Sequence, residues 1–460
     1  MLTQPPISRV SGIAFPAIPN AHASTQLALQ YQLENSQWWS IEDLQSQQLP
    51  QLKMLLDHTV ANVPYYQQLF SQHGLVVPAQ ITPEFMQRIP ISTRAAIQNA
   101  AHLLEANKLP GGHGTPNFST TSGSTGRPVR FARTAVTQTL WLAFALRDHL
   151  WHTRDFMRKL CVIRWLPKGT AEPPLGMRSP RWGNVVAPVF ATGPGSMLNV
   201  AAPLEQQIAW LVQEQPDYLQ SFPSNLAALA EHCLAHDIKL PALREVLTIG
   251  EGVTDRHRKL FHQAWGAKTI DIYTCEEAGY LALQCPGFDH YHVQSENVML
   301  EIVDEQGQPC VPGQTGQVLI TTLHNYATPL IRYEVGDMAE FGEPCACGRG
   351  LPVIRKIHGR KRNRLILPSG RSEFPYLGEH GEIEKLTGLK VHQFQCVQNS
   401  LEEVELKLVT QRPFTDEENA RVARLMQDHL GHPFRVVCTF HADIPKGPTG
   451  KFEEFICKVE

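Results

Sequence analysis

Long hydrophobic runs are missing from this chain of 460 residues. The longest, 140–146, is far short of the roughly 20 apolar residues that a helix needs to cross a bilayer, so no membrane span is expected. Excess charge is missing too. Lys and Arg number 41 against 44 Asp and Glu, and a formal net charge of −3 gives no global attraction to nucleic acid or an anionic membrane. Ten cysteines, unevenly spaced with Cys345-Ala346-Cys347 the one close pair, do not make a disulfide framework in a chain this long. They favour reduced thiols, a cytosolic setting and a bound metal. A secretory leader is not expected: residues 1–23 end in Ala21-His22-Ala23, but Pro16 and Pro19 break their apolar part and Arg9 is their one strong charge. Neither an internal repeat nor the nucleotide loop G-x-x-x-x-G-K-[ST] is present.

What is there is an ordinary globular composition, 42% hydrophobic and 18% charged, in a chain long enough for a large domain and a smaller one. Residues 1–36 are Gln/Pro/Ala-rich without a clear period and read as an arm. A helical period follows over 41–70, interrupted at Val63-Pro64-Tyr65-Tyr66, and Ser92 or Thr93 is placed to cap a helix to about Leu104. A helix over 134–150 and a buried strand over 160–165 come next, then a Pro/Gly-rich stretch, 167–199. That stretch reads equally as a surface loop or as a lining of a substrate pocket. From Tyr218 strands and helices alternate: strands at 218–221, 246–249 and 269–273, helices at 224–236 and 254–265. Such alternation predicts an α/β domain around a parallel sheet. Hairpin-like strands at 298–303 and 316–322 follow. Beyond residue 362, strands at 404–409 and 434–440 flank a helix at 415–430, predicting a small α+β module. The expected division is therefore 1–362 and 363–460.

The stretch that organises the chain is Ser119-Thr120-Thr121-Ser122-Gly123-Ser124-Thr125-Gly126-Arg127-Pro128, between a turn-rich run and the 134–150 helix. Hydroxyls and successive backbone N–H groups donate to phosphate oxygens, and glycine lets the backbone approach an anion. On its own such a run is more often a flexible loop. It resembles, however, the phosphate-binding motif of the superfamily of acyl-CoA synthetases, adenylation domains and luciferases. The likeness is closer to the branch with phenylacetate–CoA ligases and capsule-biosynthesis adenylating proteins, and it continues in order from about Leu52 to the C-terminus.

The resemblance implies a role for each of several further motifs. Thr121 to Gly126 would hold the triphosphate, with Arg127 where the family has lysine, a swap that keeps the charge but changes its shape. In Asp271-Ile272-Tyr273-Thr274-Cys275-Glu276-Glu277, Tyr273 would flank the adenine beside Thr274, and Glu277 would bind Mg²⁺. Glu276 stands where the family has a hydroxyl. Gly250-Glu251-Gly252 would border the adenine and acyl pocket, although a plain turn before a Thr254-capped helix fits the same residues. In Ile331-Arg332-Tyr333-Glu334-Val335-Gly336-Asp337, Asp337 would accept both ribose hydroxyls; a buried Arg–Asp structural pair is the other reading. Gly359-Arg360-Lys361-Arg362-Asn363 would lead into a hinge, with Arg360 matching and Asn363 in place of aspartate. Its cluster of cations could equally meet the phosphates of a nucleotide or coenzyme A. Finally, Pro445-Lys446-Gly447-Pro448-Thr449-Gly450-Lys451 would deliver Lys451 to the reacting carboxylate and α-phosphate.

A separate group is Cys285, His290, His292, Cys345 and Cys347. Three thiolates and one imidazole satisfy tetrahedral Zn²⁺ with no open position, the arrangement of a structural site. Members of this branch carry cysteines and a histidine at such places, and Cys285, His292, Cys345 and Cys347 are the preferred set. His290 is the alternative to His292, and unligated buried cysteines are the plain reading.

Taken together, the sequence predicts an adenylate-forming ligase: a carboxylic acid and Mg·ATP give an acyl-adenylate and pyrophosphate, followed by transfer to coenzyme A, a carrier's thiol or an amine. The family fold implies a small mobile C-terminal domain whose closure excludes water. Trp, Phe and Pro residues around 182–222 point to an aromatic or otherwise apolar acid. A monomer or homodimer fits, without nucleic-acid or membrane partners. The departures at Arg127, Glu276 and Asn363 leave a second class open, a nucleotide-binding scaffold that kept the fold without the catalysis.

Overall fold

The computed structural model describes residues 5–120, 130–378, 380–445, 447 and 451–459. Two compact units divide between Ile357 and His358, somewhat ahead of the boundary that the sequence suggested. Among the described residues, no helix is long and apolar enough to cross a membrane.

The first unit is built on a mixed sheet. Its middle is a parallel run in the spatial order Gly195–Asn199, Leu160–Arg164, Tyr218–Ser221, Glu245–Ile249 and Lys268–Cys275. Beyond Lys268–Cys275 the pairing turns antiparallel through Gly279–Gln284 and Tyr291–Val293. The sheet continues through Val353–Arg360, Tyr333–Phe341, Thr315–Thr322 and Val298–Val303. The parallel strands are short and mostly buried, with Ile163, Leu219, Val246 and Ile270 in the core. Helices Leu204–Glu214, Pro223–Ala235 and Asp255–Trp265 connect them. Two of these helix starts have a local cause: Pro223 opens the second, and Thr254 caps the third in a reciprocal capping box with His257.

Two sequence expectations need correction. The stretch 167–199 is not a bare loop, because Met177–Ser179 and Gly195–Asn199 pair into the sheet. Its prolines lie before the first of those strands and between the two, and the short second strand was hidden by glycine and polar residues. Residues 21–36, read as part of an arm, form a helix capped by Asn20. Its inner face carries Ala23, Gln26, Gln30, Leu33 and Ser36, a helical spacing occupied mainly by polar residues. Gln26 and Gln30 donate their side-chain amides to the carbonyls of Thr139 and Ala143 in helix Ala135–Trp151, at 3.1 and 2.7 Å. Burial of such amides is tolerated where their N–H groups find a partner, as both do here, although Oε1 of Gln26 is buried without one. A hydrophobic period could not register them.

The second unit holds a four-stranded sheet in the order Arg435–Phe440, Glu403–Thr410, Val391–Gln398 and Phe455–Cys457, with helices His380–Thr387 and Asp416–Leu430. Its own core includes Phe394, Leu406, Val422, Met426 and Phe434. The longer helix starts in a capping box of Thr415 and Glu418 and stops at Gly431, whose φ of 63° suits glycine.

Candidate active site

The carboxyl ends of neighbouring parallel strands are where an open α/β sheet leaves a crevice. Here Ile249 runs into Gly250 and Glu251, and Cys275 into Glu276 and Glu277. Gly250 has a φ of 83°, which allows the turn. The Glu251 carboxylate reaches back to the start of helix Pro223–Ala235, accepting from the Ser224 backbone N–H at 2.9 Å and the Ser224 hydroxyl at 3.0 Å. The turn is followed by the helix that Thr254 caps, as the plain reading of this segment has it.

Three distant segments meet around Glu277. Residue 92 joins the edge of strand Tyr333–Phe341: the Ser92 N–H donates to the Arg332 carbonyl at 2.9 Å, and the Glu334 N–H donates to the Ser92 carbonyl at 3.0 Å. Thr93 then caps helix Arg94–Asn99, shorter than the helix to Leu104 that the sequence suggested. That geometry delivers Arg94, whose guanidinium reaches Oε1 of Glu277 at 3.2 Å, and the Tyr333 hydroxyl donates to the same oxygen at 3.3 Å. Burial and the neighbouring Glu277 charge push the Tyr333 phenol far above its usual range, so it stays a donor. Four residues along the same strand, Asp337 accepts from the Tyr273 hydroxyl at 2.8 Å. Tyr273, Thr274, Glu277 and Asp337 thus share one region, while the 121–127 stretch, with Thr121 to Gly126 and Arg127, lies outside the described residues. Its flanking strands, Asn117–Thr120 and Arg130–Arg133, pair with each other. The second ends at Arg133, which donates to the Glu276 carbonyl at 2.9 Å and its carboxylate at 2.8 Å.

The unusual Glu276 therefore has a matching cation on the strand that leaves the loop. No local pattern announces a pair 143 positions apart, and Arg94 and Arg133 went unmarked in the sequence for that reason. The Arg–Asp alternative for the Ile331–Asp337 motif does not describe the fold. Arg332 turns away from Asp337, holding both oxygens of Glu301 at 3.2 Å and the carbonyls of Gln87 and Ile89 at 2.9 Å.

In the second unit, Arg360 ends strand Val353–Arg360 and Asn363 lies in a short 3₁₀ turn. Lys451 closes the C-terminal motif on itself, its carbonyl accepting from the Gly447 N–H at 2.8 Å. The aromatic residues that suggested an aromatic acid are core residues: Trp182 packs against Phe156 and Tyr218, and Trp210 lies in another cluster. They give that expectation no support.

Residues Cys285, His292, Cys345 and Cys347 also converge, their ligand atoms all within 4.8 Å of one another. Metal–ligand distances of about 2.3 Å for sulfur and 2.0 Å for nitrogen put tetrahedral edges near 3.8 Å (S···S) and 3.5 Å (S···N). The Cys285–Cys345 sulfurs stand 3.8 Å apart, and Cys347 Sγ is 3.4 Å from His292 Nε2. Nδ1 of His292 lies 3.3 Å from the Leu351 carbonyl, so the tautomer that donates there turns the Nε2 lone pair to the thiols. Burial lowers the His292 pKa to about 4, keeping the ring neutral as a ligand must be. Cys345 is raised to about 12 by burial. Cys347 is held below the usual thiol value: burial opposes ionisation, but the Arg349 backbone N–H, the Cys345 thiol and the Arg349 guanidinium outweigh it. His290 Nε2 approaches Cys345 at 3.0 Å and stacks on Phe288, outside the group of four.

Residues 381–458 match the family described as the CapK C-terminal domain. A phenylacetate-coenzyme A ligase of Thermus thermophilus is 25% identical over 90% of this chain and 96% of its own length. One from Escherichia coli is 26% identical over 77% of this chain and 79% of its own. The chain is thus similar to phenylacetate–CoA ligases along most of its length and to CapK proteins over its last part. Its fold agrees with a 2-hydroxyisobutyryl-CoA ligase structure, with a TM-score of 0.71 at 16% identity over 93% of this chain and 92% of the other.

Proposed function

We infer that this chain is an acid–CoA ligase. A carboxylate oxygen attacks the α-phosphorus of ATP, pyrophosphate leaves, and the acyl-adenylate is then attacked by the thiol of coenzyme A, giving a thioester and AMP. The observation that supports it most is the meeting of Glu277, Tyr333, Asp337 and Tyr273, in a chain alignable along most of its length with acid–CoA ligases. In this reading Asp337 accepts the ribose hydroxyls, Tyr273 flanks the base, and Thr121 to Gly126 with Arg127 take the phosphates. Gly250, Glu251, Thr274, Glu276 and Arg360 are assigned to the nucleotide's surroundings. Glu277 would hold Mg²⁺, which supplies charge neutralisation at the phosphates. Arg94 and Tyr333 both sit on its Oε1. Lys451 would give its ammonium to the reacting carboxylate and α-phosphate. The ten cysteines, all present as free thiols, suit a cytoplasmic setting.

A pyrophosphate-release assay over a panel of carboxylic acids, each with and without coenzyme A, tests this reading. The expected result is acid-dependent release with thioester formed from at least one acid. ATP binding without turnover of any acid would favour the scaffold reading instead.

The thiol–imidazole group is assigned to a structural Zn²⁺, held by Cys285, His292, Cys345 and Cys347, on the strength of its tetrahedral edges. Elemental analysis of protein purified under reducing conditions should find about one zinc per chain. Cys345→Ser should lower that content markedly, and equal zinc in both would remove the assignment.

A further inference from the structure

The segment after the last two cysteines is bound to the end of the N-terminal helix Ala21–Ser36. The Gly350 N–H donates to the Gln37 carbonyl at 2.9 Å. A Cβ on Gly350 would stand 1.7 Å from the Trp39 carbonyl, so the two backbones touch where only glycine fits. Between them lies Arg349. Its Nε donates to Gln37 Oε1 at 2.9 Å, and its Nη1 lies 3.6 Å from Cys347 Sγ. Its guanidinium is 4.4 Å from the Trp151 ring centroid and 4.9 Å from that of Trp38. Trp151 in turn meets His292 edge to face at 5.8 Å. A planar cation is suited to this: it donates in its plane to an amide and a sulfur while its faces pack on indoles.

We propose that Arg349 is a positioning residue that couples the Cys/His group to the N-terminal helix, so that metal binding and docking of residues 21–39 form one equilibrium. This rests on the zinc assignment above. A metal bound by Cys347 fixes the sulfur that Arg349 reaches, and through Arg349 the Gln37 amide and the Trp38 ring. By linkage, whatever the metal gains from the docked helix, the helix gains from the metal. The contacts of Arg147 with the Leu33 carbonyl at 2.8 Å and with Glu296 hold the same helix end from the other side. The coupling is thus expected to loosen the segment rather than unfold the unit.

The test uses the full chain loaded with Zn²⁺, the same chain stripped by a chelator, and Arg349→Ala, Arg349→Lys and Gln37→Ala. Two quantities are read: the rate of zinc transfer to a chromophoric chelator, and amide hydrogen exchange over 21–39. Stripping should accelerate exchange in 21–39 while strands Tyr218–Ser221 and Glu245–Ile249 keep their protection. Arg349→Ala should release zinc on the order of 10-fold faster, the usual effect of losing a partner behind a metal ligand. It should also show fast exchange in 21–39 even when loaded. Arg349→Lys, with the charge but not the fork, should fall between. Gln37→Ala breaks the link without touching the cysteines and serves if Arg349→Ala does not fold; it too should hasten release. Unchanged exchange on stripping, or wild-type zinc release in both Arg349→Ala and Gln37→Ala, overturns the coupling and leaves the zinc assignment standing. Failure of the wild-type chain to bind zinc overturns both.

Discussion

Lys451→Ala should lower the rate of acyl-adenylate formation or of its capture by roughly 10²–10³-fold, the usual effect of removing one preorganised group from the charge that develops in a transition state. ATP affinity should stay nearly unchanged, because an interaction made only in the transition state adds nothing to ground-state binding. The measurement pairs pyrophosphate release, run with and without coenzyme A, with direct titration of ATP. Comparing the two rates also says which half-reaction the ammonium serves. Lys451→Arg should recover part of the loss, since it keeps the charge with a different shape. Equal losses in rate and ATP affinity would mean that the residue binds nucleotide and no more. The Gly447–Lys451 hydrogen bond runs through the backbone and survives the change of side chain.

The second large effect concerns folding stability. Arg332→Ala should destabilise the first unit by about 3–5 kcal/mol, the range for breaking a buried charge pair on one side. The guanidinium is 3% exposed and occupies both oxygens of Glu301 and two backbone carbonyls. Its loss would leave a largely buried carboxylate without its cation. The backbone conformation is common to both variants and does not enter the difference: residue 332 holds a φ of 44°, which alanine would share. Its N–H donates to the Thr321 hydroxyl, and its carbonyl accepts from Ser92. Chemical denaturation of wild type, Arg332→Ala and Arg332→Ala with Glu301→Gln would measure the effect. The double variant should recover part of the loss, because a neutral amide is cheaper to leave buried. A loss below about 1 kcal/mol, typical of an exposed ion pair, would contradict this account.

How much of this could be read beforehand varied with the kind of signal. Strands such as Tyr218–Ser221 and Val298–Val303 were placed at their observed bounds, because alternation and turn residues act over a few positions. The Cys/His group was legible because few side chains bind a soft cation and their chemistry limits the choice; only the fold could bring four of them within 4.8 Å. An Arg332–Asp337 pair stood as the alternative because Asp337 is near in sequence, whereas Glu301 is near in space. Arg133 with Glu276 and Arg94 with Glu277 were invisible for the same reason. Each pair joins segments that meet through sheet edges, and nothing in either segment alone calls for the other.

The amide-lined helix Ala21–Ser36 carries a consequence of its own. A helix seated on aliphatic side chains exposes oil when it lifts off, and oil invites neighbouring molecules to clump. Gln26 and Gln30 would instead exchange the Thr139 and Ala143 carbonyls for water, a nearly even trade. Detachment of this segment should therefore expose only the smaller apolar part of its face, Ala23 and Leu33, and break the Arg147 contact, while the amide part is simply wetted.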